Sequence, residues 1–368
     1  MTLKVGMLTS GGDCQGLNSA MRGVGKRLFE NDPQTEVYGF LDGYAGLMQS
    51  NYRVMKPSDF SGILTLGGTI LGTSRQVFKT MNDPLYPNRS DGPTKLEGMI
   101  RTYKDLNLDG LVILGGNGTH KTANLLSENG LNVITLPKTI DNDLWGTDMT
   151  FGFQSAVNIA TEVIDGIHST ASSHGRVFII EVMGHNVGWM TLHAGIAGGA
   201  DVILIPEIPY DPLAVAAAVN KRAREHKRFS IIAVAEGAKT KEEAKMSKKE
   251  YAEKIGNLPF LSVAYRLASI LDKLTVQEVR CTVPGHFQRG GSPCAYDRVL
   301  TTALGVAAAD WVIQKKFGVM VGMVNNEIVG IPLKDVAGKV KSVPTNHPLI
   351  QSARNIGIYF GDEDLENG

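Results

Sequence analysis

The sequence predicts an α/β protein built on parallel, doubly wound sheets. Short apolar runs recur at residues 5–8, 37–41, 111–114, 133–136, 177–182, 202–205, 231–234 and 320–324. They are continuous rather than alternating, the pattern of strands buried on both faces. Longer segments of helical pattern lie between them, such as 16–29, 120–128 and 154–168. Strand then helix, repeated, argues for crossover connections and parallel pairing. The 368 residues exceed one average domain, so the chain forms two domains or one large α/β unit.

Composition narrows the function. Apolar residues make up 43% and charged residues 20%, an ordinary globular balance with ample material for a core. Lys and Arg total 37, as do Asp and Glu, so there is no overall basic field and nucleic acid is not the expected partner. The three cysteines, Cys14, Cys281 and Cys294, form neither a disulfide framework nor a zinc knuckle and read as reduced thiols. Met1-Thr2-Leu3-Lys4-Val5 runs into a strand pattern without a signal core. No run reaches ~18 apolar residues. No membrane partner is expected, and the cytoplasm is the expected location. Residues 239–254, dense in Lys and Glu with Glu242/Lys245 and Glu250/Lys254 at helical spacing, predict a solvated surface helix. The acidic tail 361–368 is expected to fray.

In doubly wound sheets ligands sit at the carboxyl ends of the strands, so the following loops carry the chemistry. Residues 5–8 lead into Thr9-Ser10-Gly11-Gly12-Asp13. Residues 64–66 lead into Gly67-Gly68, then Gly72-Thr73-Ser74-Arg75. Residues 111–114 lead into Gly115-Gly116-Asn117-Gly118-Thr119 and a helix pattern. Glycine lets backbone amides approach a ligand, and a helix N-terminus adds free N–H donors, so these loops read as phosphate cradles. Each alone is equally a tight turn. Neither GxGxxG nor the Walker A spacing occurs, which disfavours a dinucleotide reader or a plain P-loop enzyme.

After the run 133–136 comes Pro137-Lys138-Thr139-Ile140-Asp141-Asn142-Asp143. Pro137 is expected to end the strand, and Asn142 and Asp143 are turn formers. Spacing alone leaves the aspartates as turn caps or as catalytic carboxylates. In the catalytic reading an ionised Asp141 takes a proton from an attacking hydroxyl, and Lys138 offsets charge on a transferring phosphoryl group. Arg280, His286 and Arg289 lie together before Gly290-Gly291-Ser292-Pro293 and could seat a phosphate, or make ordinary surface ion pairs. His168, His174 and His193 show no metal spacing.

Taken together, Ser10-Gly11-Gly12-Asp13, Gly67-Gly68-Thr69 with Arg75, Gly115 to Thr119, Thr139-Ile140-Asp141-Asn142-Asp143, Glu181-Val182-Met183-Gly184 and Gly285-His286-Phe287-Gln288-Arg289-Gly290-Gly291-Ser292-Pro293 resemble the 6-phosphofructokinase family, in the family's order, over about residues 5–324. The resemblance implies two doubly wound domains with the active site in the cleft between them. Domain boundaries are expected at 1–152 plus 288–338 for the donor phosphates, and 153–287 plus 339–368 for the sugar phosphate. The implied reaction is phosphorylation of fructose 6-phosphate at its 1-hydroxyl, in glycolysis, with Mg²⁺. Asp141 matches the family's base, with Lys138, Thr139 and Asp143 in the same catalytic loop. Thr139, Ile140, Met183, Gly184, His185, Glu236, His286, Phe287, Gln288 and Arg289 match the sugar-phosphate site. Arg176 and Arg280 match arginines that serve a neighbouring subunit in bacterial relatives, implying a homodimer or homotetramer. Gly12, Arg75, Gln76, Gly116, Asn117, Gly118 and Thr119 match the donor site, with Asn117 nearest the metal.

The chain departs from the common pattern in three places. Asn117 replaces an acidic residue, His185 replaces an arginine, and residues 239–254 are inserted. Two positions bear on the donor. Pyrophosphate users typically carry Asp where this chain has Gly118, and they carry lysine where it has Lys138. A carboxylate excludes a nucleotide and a lysine excludes neither donor, so ATP is expected, with pyrophosphate as the alternative. An NAD-linked dehydrogenase and a non-catalytic sugar-phosphate sensor are the rival classes. The missing GxGxxG opposes the first, and the presence of Asp141 and Lys138 opposes the second.

Overall fold

The computed structural model describes residues 2–88 and 92–363. In chain order the strands are β1 (Lys4–Ser10), β2 (Glu36–Phe40), β3 (Tyr52–Met55), β4 (Gly110–Gly115), β5 (Val133–Thr139), β6 (Phe151–Gly152), β7 (Val177–Val182), β8 (Val202–Leu204), β9 (Ser230–Ala235), β10 (Val279–Thr282), β11 (Val319–Val324) and β12 (Glu327–Pro332). The chain divides into two compact units, Met1–Ser155 with Arg289–Lys341, and Ala156–Gln288 with Ser342–Gly368.

The first unit's sheet runs β12-β11-β5-β4-β1-β2-β3, with β6 on β5. Its interior pairs are parallel. Strands β4 and β5 are buried along their whole length, which is why their sequences are continuous apolar runs. Each fully buried Leu, Ile or Val contributes about 1.5–3 kcal/mol. The second unit's sheet, β10-β7-β9-β8, is parallel throughout. Its core gathers Val177, Ile179, Leu204, Ile232 and Val234. The fold is thus mixed α/β with mainly parallel sheets.

Several local expectations need correction. Strands β3 and β12 pair antiparallel at the two edges of the first sheet. Both are partly exposed, so neither carries the buried-strand signature. Pro137 does not end β5, which continues to Thr139. Pro137 pairs in register with Gly115, while the β11 ladder on the other side of β5 stops at Thr135, so no ladder donor is lost there. No strand precedes Gly67-Gly68; residues 64–66 form a turn. Arg280 lies on β10 rather than in a loop. The helices run Leu17–Asn31, Asn117–Glu128 and Phe153–His174, longer than the predicted spans.

Residues 239–254 are not one solvated helix. Thr240 and Glu243 exchange backbone-to-side-chain hydrogen bonds of 3.1 Å each, which closes a turn. Glu243 is buried and pairs with Lys254 at 3.1 Å. A new helix, Lys248–Gly256, then starts at a Ser247/Glu250 capping box. Of the tail expected to fray, 364–368 lie outside the described residues.

Candidate active site

In the first unit β5 delivers Lys138 and Thr139 to the carboxyl edge of the sheet, followed by Ile140-Asp141-Asn142-Asp143. The Asp141 amide donates to Thr139 Oγ1 at 3.1 Å. Asn142 adopts a left-handed backbone, φ 53°, which Asn tolerates better than most residues. Its Oδ1 accepts from the Thr150 amide at 3.0 Å, and Thr150 Oγ1 donates to the Thr139 carbonyl at 2.7 Å. These bonds close the loop so that Asp141 is held at its turn. Ile140 is fully buried and anchors the loop from inside; only its backbone can face a ligand.

The first glycine loop lies against this turn. The Lys138 ammonium, 4% exposed, donates to the Gly12 carbonyl. Burial pushes its pKa down and the Arg289 charge adds to that, while Cys14, Asp141 and Asp13 oppose both. Arg289 Nη1 donates to the Asp13 carbonyl at 3.1 Å, and its buried Nε has no partner among the described residues. A Cβ at Gly12 would sit 3.0 Å from Arg289 Nη1 and 3.6 Å from Arg75 Nη2. Two guanidiniums and an ammonium therefore converge on one bend of backbone. The loop is latched by Thr73 Oγ1 to the Gly11 carbonyl at 2.7 Å and by the Gly11 amide to the Ser74 carbonyl at 3.1 Å. Gln76 follows in the stretch before the turn Phe78–Thr80.

The helix Asn117–Glu128 starts at Gly116 with no side-chain cap, so its first amides remain available to an anion. Thr119 is buried, and Tyr44 Oη donates to its carbonyl at 2.8 Å. A Cβ on Gly118 would meet no atom within 4 Å. Asn117 Nδ2 donates to the Lys339 carbonyl at 2.6 Å. His120, one residue beyond Thr119, is wholly buried, and burial pushes its pKa down to about 4, so it stays neutral.

In the second unit Met183-Gly184-His185 follows β7 and Glu236 follows β9. Glu236 Oε1 accepts from the amides of Gly184 at 3.3 Å and His185 at 2.7 Å. A Cβ at Gly237 would come within 2.1 Å of the His185 carbonyl, so only glycine lets these two loops meet. Gln288 is fully buried; its Oε1 accepts from the Met183 amide at 3.2 Å, which makes it a support of that turn. His286 and Phe287 are exposed on the short helix Gly285–Arg289. The β7–β10 register sets Arg176 and Arg280 near one another, and Glu278 pairs with both. These contacts hold Glu278 below the usual carboxylate range.

The predicted residues thus fall into groups. Gly12, Arg75, Lys138 and Arg289 cluster in the first unit, which also carries Gly116 to Thr119 and the carboxylate loop. Arg289, expected with the sugar-phosphate residues, lies against the Gly12 loop. Met183, Gly184, His185, Glu236 and Gln288 gather in the second unit, with Arg176 and Arg280 as a separate pair. Sequence reasoning missed Glu278, and it missed Lys341, whose ammonium donates to Asn142 Oδ1 at 3.0 Å. Asn142 was visible as a turn former and as part of the Thr139-to-Asp143 run, without a role of its own. Among the described residues no three His, Cys, Asp or Glu side chains form a metal cluster, and no helix is long and apolar enough to cross a membrane.

A family model described as phosphofructokinase matches residues 4–312. A protein of Spirochaeta thermophila named ATP-dependent 6-phosphofructokinase is 52% identical over 98% of each chain. One of the same name from Propionibacterium freudenreichii subsp. shermanii is 46% identical over 98% of this chain and all of that one. Among solved structures, Pichia pastoris phosphofructokinase in the T-state superposes with a TM-score of 0.77 at 30% identity, over 91% of this chain and 35% of that longer one. Parallel sheets whose carboxyl edges carry glycine cradles and a Lys–Asp loop are the frame of a phosphotransferase. The chain belongs to the phosphofructokinase family.

Proposed function

We propose that this chain transfers the γ-phosphoryl group of ATP to the 1-hydroxyl of fructose 6-phosphate, giving fructose 1,6-bisphosphate and ADP in cytoplasmic glycolysis. The observation that carries the reading is the convergence of Lys138, Arg289 and Arg75 on the Gly12 bend, one turn from Asp141. An unpartnered buried guanidinium N–H at such a bend suits a phosphate oxygen. The first unit takes the donor phosphates, using the open N-terminus of the helix Asn117–Glu128. The second unit takes the sugar phosphate through Met183, Gly184, His185, Glu236 and His286. Arg176 and Arg280 serve the site of a neighbouring copy in a homo-oligomer, as the family resemblance implies.

The Asp141 carboxylate accepts the 1-hydroxyl proton as that oxygen bonds to the γ-phosphorus and the bond to the β–γ bridging oxygen breaks. Lys138 and Arg289 meet the charge that develops on the phosphoryl oxygens. Thr139 holds the Asp141 amide, and Asp143 completes the turn. Mg²⁺ is held in such sites by one or two protein oxygens together with waters and phosphates. Asn117 fits: its amide nitrogen is committed to Lys339, which leaves the amide oxygen for the ion. When bound, the ion neutralises phosphate oxygens.

The test is bisphosphate formation from fructose 6-phosphate and Mg²⁺, with ATP and pyrophosphate in parallel, for the wild type and Asp141→Asn. Turnover with ATP that a folded Asp141→Asn loses by about 10²–10⁴-fold is the expected result. Turnover with pyrophosphate alone would replace ATP as donor. Binding of the sugar phosphate without turnover on either donor would turn the chain into a sensor.

A further inference from the structure

We propose that Lys341 is a positioning residue that sets the Asp141 turn from the far end of the first unit. The inference rests on Asp141 acting as the base. Lys341 lies beyond the family match, which ends at residue 312, and is the last residue of the first unit before the chain passes to Ser342. Its ammonium donates to Asn142 Oδ1 at 3.0 Å, to the Thr147 carbonyl at 2.8 Å and to the Asp148 carbonyl at 2.9 Å. Its amide donates to the Asp143 carbonyl at 2.8 Å. One residue thus grips the turn at Asn142 and at Asp143, the two residues that follow Asp141.

The two residues before it contact the same region. Val340 forms a β-bridge with Leu144, and the Lys339 carbonyl accepts from Asn117 Nδ2 at 2.6 Å. Residues 339–341 therefore run as a strap that fastens the start of the donor-side helix and the carboxylate loop to one short segment. The acceptors on Lys341 are mostly backbone carbonyls of an irregular turn, which has no ladder of its own. An ammonium has three N–H donors and no acceptor, so it suits a turn that presents oxygens inward. Removing it leaves partly buried carbonyls without that donor and lets Asn142 move, and Asp141 moves with it.

The experiment compares Lys341→Met and Asn142→Gly, which keeps the left-handed backbone but deletes the acceptor, with the double variant and with Asp141→Asn. Steady-state kinetics on fructose 6-phosphate and ATP are read beside thermal melts. Lys341→Met is expected to lower kcat by about 10²-fold, the effect of an ångström-scale misplacement, and to leave KM for ATP within about threefold. Asn142→Gly, which also removes the acceptor of the Thr150 amide, should lower kcat at least as much, and the double variant should lose less than the product of the two single losses, since the Lys341–Asn142 contact is counted in both. A folded Lys341→Met with kcat within twofold of the wild type would overturn the inference, as would fully additive losses in the double variant. If Lys341→Met does not fold, Asn142→Gly alone decides: an unchanged kcat there sinks the strap. An active Asp141→Asn would instead remove the catalytic reading on which the inference stands.

Discussion

Gly118→Asp tests the donor site most directly. Gly118 is exposed at the second position of the helix Asn117–Glu128, and a Cβ there meets no atom within 4 Å. The substitution therefore fits without moving neighbours. An acid in the first turn of a helix favours the helix dipole, so the fold should be retained. The cost falls on the nucleotide. A carboxylate about 4 Å from the α-phosphate at an effective dielectric near 20 costs about 4 kcal/mol, or roughly a thousandfold. The assay is kcat/KM for ATP at saturating fructose 6-phosphate, with Gly118→Ala as control and Tm measured for both. The expected result is a fall of about 10³ for Gly118→Asp and less than about tenfold for Gly118→Ala. Gly118→Asp within tenfold of the wild type would refute the argument, because the α-phosphate would then lie elsewhere.

Two further predictions follow from buried titratable groups. Cys14 is fully buried beside the Gly12 bend, and burial pushes its thiol up to about 12, so iodoacetamide at pH 8 should leave it unlabelled in the native protein and label it only after denaturation; labelling at native rates equal to those of the unfolded chain would refute this. Burial pushes the Lys341 ammonium down to about 8, against the pull of Asp148 and Asp143. Its folded pKa lies below its unfolded one, so the charged form costs stability, fully so below pH 8, and that cost is relieved as pH rises from about 8 toward 10.5. The Tm difference between wild type and Lys341→Met should shift toward the wild type across that window, and a constant difference would contradict it.

The buried strands and their parallel class were legible because strands buried on both faces leave a mostly apolar run, as in β4 and β5, while the strand order was not. Edge strands leave no such mark: Tyr52-Arg53-Val54-Met55 shows one face to solvent and reads as a loop. Pro137 misled for a related reason. Its cost depends on whether a neighbour needs an N–H at that position, and that is fixed by where the pairing of β11 with β5 stops, which is not a local property. The insert 239–254 misled because helical charge spacing ignores Ser247, whose capping box restarts the chain as a new helix, and Glu243, whose partner Lys254 lies across the break. The candidate site residues that a motif carries stood out one by one in the sequence as expectations. Lys341 was not, because a lysine 199 positions from Asn142 has no spacing signal.

The cost of burying Lys138 is the physical argument for what the first unit holds. A lysine this deep is penalised by desolvation, and the nearby Arg289 adds like-charge repulsion. Asp13 and Asp141 answer only part of it. They act on Lys138, while Arg289 and Arg75 flank Gly12 beside it and Arg289 keeps a buried N–H unpaired among the described residues. A fold that only needed stability would relieve this cluster by replacing a cation with an apolar side chain, which is often neutral or better in a buried site. The cluster makes sense if a multiply charged anion completes it during the working cycle. A phosphate chain on the Gly12 bend supplies both the missing charge and an acceptor for the idle guanidinium.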